Sequence, residues 1–418
     1  MKPNRLAFAT LATLSLGGPV LASAQTMPGE GEDGAIGVPL PEEQPPPPPE
    51  PPPAPAPAEH GAGLKYDGGF ALESDDGQFE LKIGLRSQFR FDVLRNDIDA
   101  DAAEFNARFA VNRLRLQLEG HAYGKTTTYK FELDMANRGF AVLKDGFIDH
   151  ALSPTLHLRA GQWKKPFNRQ EIVSDFGSEM VERSLTNEFA GAGRDLGVAL
   201  HNDYEKSPEG VEWALGLFNG GSDKPSATTT CVPGALPTDP PKCTTGLPTN
   251  VPTDFKPAIV AHVGFNSGHI KGYSEGDLEG GPLRFAVAAS YRLLANDLDK
   301  DADDNLLLDH AVVLDAMIKA SGLSVTGALV LVKKGQADLA TGFYGQASYV
   351  LMPKKLLGAV RFAQVPEGAE KKHEILGGFD LFWKGHKAKV TVDAGVIHTT
   401  GDPARTDIQI RSQLQLVL

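Results

Sequence analysis

The chain has 418 residues, 22% of them charged, and a formal net charge of −12. That acidity, with no basic tract, gives no support to nucleic-acid binding. Its two cysteines, Cys231 and Cys243, lack CxxC spacing and nearby histidine, which argues against a metal or redox centre.

At the N-terminus Lys2 and Arg5 precede the mostly apolar stretch Leu6 to Leu21, and Ala22-Ser23-Ala24 gives the small-x-small pattern of a cleavage site. This reads as a secretory signal over residues 1–24 with mature protein starting at Gln25. Gly17, Gly18 and Pro19 make the stretch a poor membrane anchor. Residues 25–62 are dominated by proline from Pro39 to Pro57 and should form a disordered, polyproline-like tether in the periplasm. It is read as a spacer, with attachment to peptidoglycan as the alternative. Removing Lys2 and Arg5 takes the charge from −12 to −14, and the tether's seven unopposed acids leave −7 from His60 onward.

No later apolar run is long enough to cross a bilayer as a helix, so the chain is either secreted and soluble or spans as strands. From Gln78 the pattern has period two. Phe79, Leu81, Ile83, Leu85, Phe89, Phe91 and Val93 alternate with Glu80, Lys82, Gly84, Arg86, Gln88, Arg90 and Asp92. Leu114, Leu116 and Leu118 alternate with Arg113, Arg115, Gln117 and Glu119, and Tyr129, Phe131 and Leu133 with Lys130, Glu132 and Asp134. The pattern returns at Val211–Leu217, Leu283–Arg292, Lys387–Ala394 and Ile408–Leu418, while Ala258–Phe265 and Leu376–Trp383 alternate weakly. Long strands with one apolar and one repeatedly charged face, joined by short turns and long polar loops, describe a wall with lipid outside and water inside.

The expected fold is therefore all-β, a transmembrane antiparallel β-barrel over residues 63–418. About sixteen strands fit, with fourteen and eighteen as neighbours, and that size leaves an aqueous channel. The expected function is passive diffusion of small hydrophilic solutes across the bacterial outer membrane.

Two polar stretches are read as loops. Gly220–Lys256 holds both cysteines, and export favours a Cys231–Cys243 disulfide. The acidic run Asp297, Asp299, Asp301, Asp303 and Asp304 has oxygens at alternate positions but no turn glycine or closing glutamate, so it is read as a solvated loop and not a calcium site. Histidines such as His121, His157, His262 and His398 are scattered, and no catalytic motif or cofactor signature occurs, so no enzyme is expected.

Several segments, in order, resemble the phosphate-selective porin O and P family. They are Asn112-Arg113-Leu114-Arg115-Leu116 running to Glu119-Gly120, Gly161-Gln162-Trp163-Lys164-Lys165-Pro166-Phe167, Glu182-Arg183-Ser184, Arg194-Asp195-Leu196-Gly197, Phe218-Asn219-Gly220 and Arg411-Ser412-Gln413-Leu414-Gln415. The resemblance runs from about Gly68 to Leu418. It implies a sixteen-stranded, homotrimeric barrel with an inward third loop at the constriction, passing small inorganic or organic anions under arginine and lysine guidance. Two departures stand out: the chain ends in Leu418 where such barrels usually end in an aromatic, and the family's lysine cluster and arginine ladder have no residue-by-residue counterpart here.

The non-alternating segment between Phe167 and Arg194 is the candidate inward loop, contributing Arg169, Arg183 and Arg194 against Glu171, Asp175, Glu179, Glu182, Glu188 and Asp195. The candidate anion-guiding residues are Lys82, Arg86, Arg90, Arg113, Arg115, Lys130, Arg159, Arg183 and Arg194, with Arg361 a further lumen-facing cation. Arginine's fork of donors suits phosphate. The competing reading is that these cations pair with wall carboxylates such as Glu80, Asp92, Glu119, Glu132 and Asp134.

Overall fold

The structure, a computed structural model, describes residues 63–66, 69–97, 104–136, 141–221, 229–232, 242–245, 255–300 and 306–418. The expected signal and tether, most of the Gly220–Lys256 loop and the side chains of the 297–305 acidic run lie outside the described residues.

Two short strands come first, β1 (Gly63–Tyr66) and β2 (Phe70–Glu73). The wall begins with β3 (Glu80–Asn96), β4 (Glu104–His121), β5 (Thr127–Asp134), β6 (Val142–Ser153), β7 (Leu156–Lys164), β8 (Arg194–His201) and β9 (Gly210–Phe218). The connection that follows holds a hairpin of β10 (Thr229–Val232) and β11 (Lys242–Thr245), whose register sets Cys231 opposite Cys243. The wall resumes with β12 (Ala258–Ser267), β13 (Arg284–Lys300), β14 (Leu306–Ala320), β15 (Leu323–Lys334) and β16 (Ala340–Met352). It ends with β17 (Leu356–Glu367), β18 (Glu370–Phe382), β19 (Ala388–Thr399) and β20 (Arg405–Val417).

Each wall strand pairs antiparallel with its neighbour in the chain; β9 meets β12 across the hairpin, and β20 returns to β3. Sixteen strands close the barrel and leave no open edge. Below the point where Val417 meets Arg86, β2 takes over the edge of β3, with Phe70 opposite Ile83. Leu418 exchanges backbone hydrogen bonds with Leu85, so the non-aromatic terminus is still paired into the wall. No helix among the described residues is long and apolar enough to cross a membrane.

The apolar positions of the alternation point outward. Phe89, Ile83, Leu85, Ile259, Leu314, Ile375 and Leu414 are all exposed on the outer face. In β4 the phase changes once. Gln88 faces Arg113 and Phe89 faces Val111, leaving Asn112 as a bulge residue. The bulge turns Phe109 outward before it and Arg113 and Arg115 inward after it, keeping one face dry and the other charged.

The inner face has two characters. Along β3 to β8 it carries charge. Along β12 to β17 small and apolar residues are interspersed with buried polar ones such as His262, Asp315 and Gln346, and Ala258, Val260, Ala311, Val313, Ala328, Val330 and Ala363 form one buried cluster with Phe167 and Ala190 of the segment after β7. On β17 and β18, Leu357 and Leu376 close on Met180 of the same segment. This contributes to the weak alternation of β12 and β18: part of each inner face, Ala258 and Val260 on β12 and Leu376 and Phe382 on β18, is apolar and packs on protein while the other face meets lipid.

Candidate functional site

The segment from Lys165 to Gly193 folds into the lumen. It carries two short helices, α1 (Arg169–Ile172), capped by Asn168 accepting from Gln170 N at 3.2 Å, and α2 (Leu185–Phe189). Phe167, Val173, Phe176, Met180 and Val181 are buried, so apolar area drives the loop inward. Its backbone, removed from water, is served by wall side chains. Gln88 Nε2 donates to Asp175 O at 3.1 Å, Gln415 Nε2 to Phe176 O at 2.7 Å and Arg361 Nη1 to Glu182 O at 2.8 Å, while Val181 N donates to Asp393 Oδ2 at 2.8 Å. These partners lie on β3, β17, β19 and β20, so the loop crosses the barrel from its origin at β7.

A cavity of about 820 Å³ remains between the loop and β3 to β8. Its cations are Lys82, Arg86, Lys125, Lys130, Arg159, Lys164, Arg194 and Lys206; its carboxylates are Glu80, Glu119, Glu132, Asp145, Asp149, Asp203 and Glu205. Eight positive groups against seven negative ones make the cavity strongly charged but almost balanced.

Five of the nine sequence candidates line this cavity: Lys82, Arg86, Lys130, Arg159 and Arg194. Each meets a carboxylate, at 3.3 Å for Lys82–Glu80, 3.4 Å for Arg86–Glu132, 3.1 Å for Lys130–Asp145, 2.7 Å for Arg159–Asp149 and 2.7 Å for Arg194–Asp145. The other four hold the loop. Asp175 forms ion pairs with Arg115 at 2.8 Å, Arg183 at 2.6 Å and Arg113 at 3.4 Å, and Glu182 bridges Arg90 and Arg113. Burial alone would raise the Asp175 carboxyl, but Arg113, Arg183 and Arg115 together hold it well below the usual carboxylate value. The same logic brings Glu182 down to about 2: burial opposes, Arg113 and Arg90 prevail. Arg361 likewise pairs with Glu374 at 2.7 Å.

Sequence reasoning missed Lys125, Lys164 and Lys206. Lys125 and Lys206 lie in or beside short turns, where alternation carries no signal, and Lys164 is the last residue of β7. It also missed two histidine clusters made by register. Ser290 Oγ and Glu212 Oε1 flank His262 at 2.8 Å and 3.2 Å, a serine–histidine–acid chain, yet all three are buried and Tyr273 OH caps the glutamate at 2.8 Å. It has the residue types of a triad but no opening for a substrate.

Asp149, His157 and His201 bring three possible ligand atoms within 4.8 Å of one another beside the cavity. Their lone pairs are already committed. Asp203 N donates to His201 Nδ1 at 3.0 Å, so His201 Nε2 carries the proton that it donates to Asp149 at 2.8 Å. Arg159 Nε takes the same carboxylate oxygen at 2.7 Å. The cluster braces the rim, and a cation there would have to displace a guanidinium.

Residues 81–251 match the phosphate-selective porin O and P family. No curated protein matches the chain. Among solved structures, an anion-selective porin from Comamonas acidovorans is similar at TM-score 0.51 and 11% identity, covering 81% of this chain and 100% of that one. The outer membrane channel DcaP of Acinetobacter baumannii is similar at TM-score 0.52 and 11% identity, covering 83% of this chain and 99% of that one. At these identities the likeness is one of fold.

Proposed function

We propose that the chain is an outer-membrane porin of the phosphate-selective porin O and P family, a channel that passes small hydrophilic solutes with a modest preference for anions. The observation carrying this reading is the cavity of about 820 Å³ left open beside the inward loop, where eight cations interleave with seven carboxylates. An ion entering it meets paired charges along the lining from β3 to β8. Such pairs guide without trapping, because each guanidinium can turn donors toward a passing anion while its carboxylate keeps it in place.

Near balance sets the size of the preference. A lining of one surplus positive charge enriches anions only slightly, in contrast to a wall of unopposed arginines. Charge is screened over about 8 Å at physiological salt, so the groups lining the ion path set the preference. Inorganic or organic anions such as phosphate are the expected solutes. The barrel's apolar outer face fits lipid and a homotrimer. Turns such as 154–155 and 321–322 mark the periplasmic rim, and the longer connections after β7 and β9 the outer one.

Reversal potentials of the purified protein in a potassium chloride gradient test the proposal. A chloride-side reversal at low salt that weakens as salt rises is expected; a potassium-side reversal would make this a general or cation-preferring pore. A silent bilayer together with peptidoglycan capture would favour a structural barrel tethered to the cell wall.

A further inference from the structure

Inside the barrel the inward loop meets a second insertion, the long connection 268–283 between β12 and β13. Arg169 Nη1 donates to Gly272 O at 3.0 Å and Leu278 packs with Met180, and at a further point of this contact two carboxyl groups meet. Glu179 N donates to Glu275 Oε2 at 2.8 Å, and Gln346 Nε2 on β16 donates to Glu179 Oε2 at 2.7 Å and to Glu275 Oε2 at 3.2 Å. One amide nitrogen thus holds an oxygen from each acid. Glu179 is 1% exposed and Glu275 4%, so neither charge has access to water. Glu179 Oε1 is buried without a partner, and it lies only 2.8 Å from where a Cβ on Gly276 would sit.

The surrounding charges leave one carboxylate too many. On β18 and β19, Asp380 and Lys389 pair at 3.0 Å. Asp277 of the connection is taken by Arg284 of β13. On β14, Lys319 is the remaining cation felt by both Glu179 and Glu275, and its Nζ donates to the carbonyls of Lys271 (3.0 Å) and Ser274. Tyr344 of β16 adds only a phenol, and burial holds His386 of the 383–387 turn neutral, with its ring down at about 3. Two acids facing one ammonium in a dry site require a proton between them.

We propose that Glu179 and Glu275 share one proton as a lock that positions the inward loop against the 268–283 connection, and that loss of this proton releases the loop. The lock deepens the porin reading at its own constriction. Burial first, and the Glu275 carboxylate second, push the Glu179 carboxyl up to about 8. A carboxyl raised above its unfolded value stabilises the packed loop at low pH, and that contribution is lost as pH rises through about 8. Both are positioning residues: they touch no solute and act by holding the loop.

Two readouts on the full-length purified protein test this. In planar bilayers, channel conductance and open-state noise should stay constant from pH 6 to 7 and change in a single-proton transition centred near pH 8. Amide-exchange protection over residues 177–182, corrected for intrinsic rate, should fall by up to about tenfold per pH unit as pH rises toward about 8 and level off above it. Glu179→Gln and Glu275→Gln should each keep the low-pH behaviour throughout, and either suffices if the other does not fold. A wild-type record flat in both readouts, or a transition that survives both substitutions, overturns the lock. Exchange that changes while the bilayer stays silent upholds the lock and refutes the porin reading instead.

Discussion

Glu132→Gln isolates the lumen charge with little disturbance of shape. Glu132 is 1% exposed and shared by three cations, with Arg115 at 3.0 Å, Arg86 at 3.4 Å and Arg194 at 3.6 Å. After the change Arg115 retains Asp134 and Asp175, and Arg194 retains Asp145, so the wall stays braced. The cavity goes from eight cations against seven carboxylates to eight against six. For an ion path about 6 Å away, one charge is worth about 0.7 kcal/mol in water and about 2.8 kcal/mol at an effective dielectric of 20. A Debye length of about 8 Å roughly halves either figure. Even the smaller value, about 0.3 kcal/mol, enriches chloride and depletes potassium by about 1.7-fold each, so the chloride-to-potassium permeability ratio should rise at least about threefold. Reversal potential in a potassium chloride gradient reads this directly. At 1 M salt, where screening acts over about 3 Å, the difference from wild type should nearly vanish. An unchanged reversal potential at low salt, with conductance intact, would show that ions do not pass this cavity.

Replacing Arg86, Arg90, Arg113 and Arg115 together by alanine strips partners from Glu132, Asp134, Asp175 and Glu182, and the reversal potential should move to the potassium side; a persistent chloride preference would contradict it. Gly161 has φ +130° and a Cβ there would lie 2.2 Å from the Gly146 carbonyl oxygen on the facing strand, so Gly161→Ala should cost at least about 1–3 kcal/mol of stability, read by urea unfolding. Cys231 and Cys243 face each other across β10 and β11, and unreduced protein from the outer membrane should take up no thiol label; in the chain-entropy model the closed loop gains roughly 3 kcal/mol.

Much of the wall was legible in the residues because a strand has a strict period of two and a bilayer demands an apolar outer face. Phe89 and Phe91 against Arg90 and Asp92, or Leu116 and Leu118 against Arg115 and Gln117, state both faces locally. The inward loop was legible in part, since 167–194 breaks the alternation yet is rich in apolar residues. Three things were decided only in three dimensions. Pairing of Arg86, Arg113 and Arg115 with Glu132, Asp175 and Glu182 depends on strand register and on where the loop lands, neither of which leaves a local trace. The meeting of Glu179 with Glu275, far apart in the chain, needs two separate insertions to reach one point in the lumen. The weak alternation of β12 and β18 was ambiguous in sequence because an inward Val260 or Leu376 has the same apolar character whether it packs on a loop or belongs to no strand at all. The physical reason is common to all three: a local pattern records which medium each side chain prefers, whereas the choice of partner within that medium is made by closure of the barrel and by the loop that fills it.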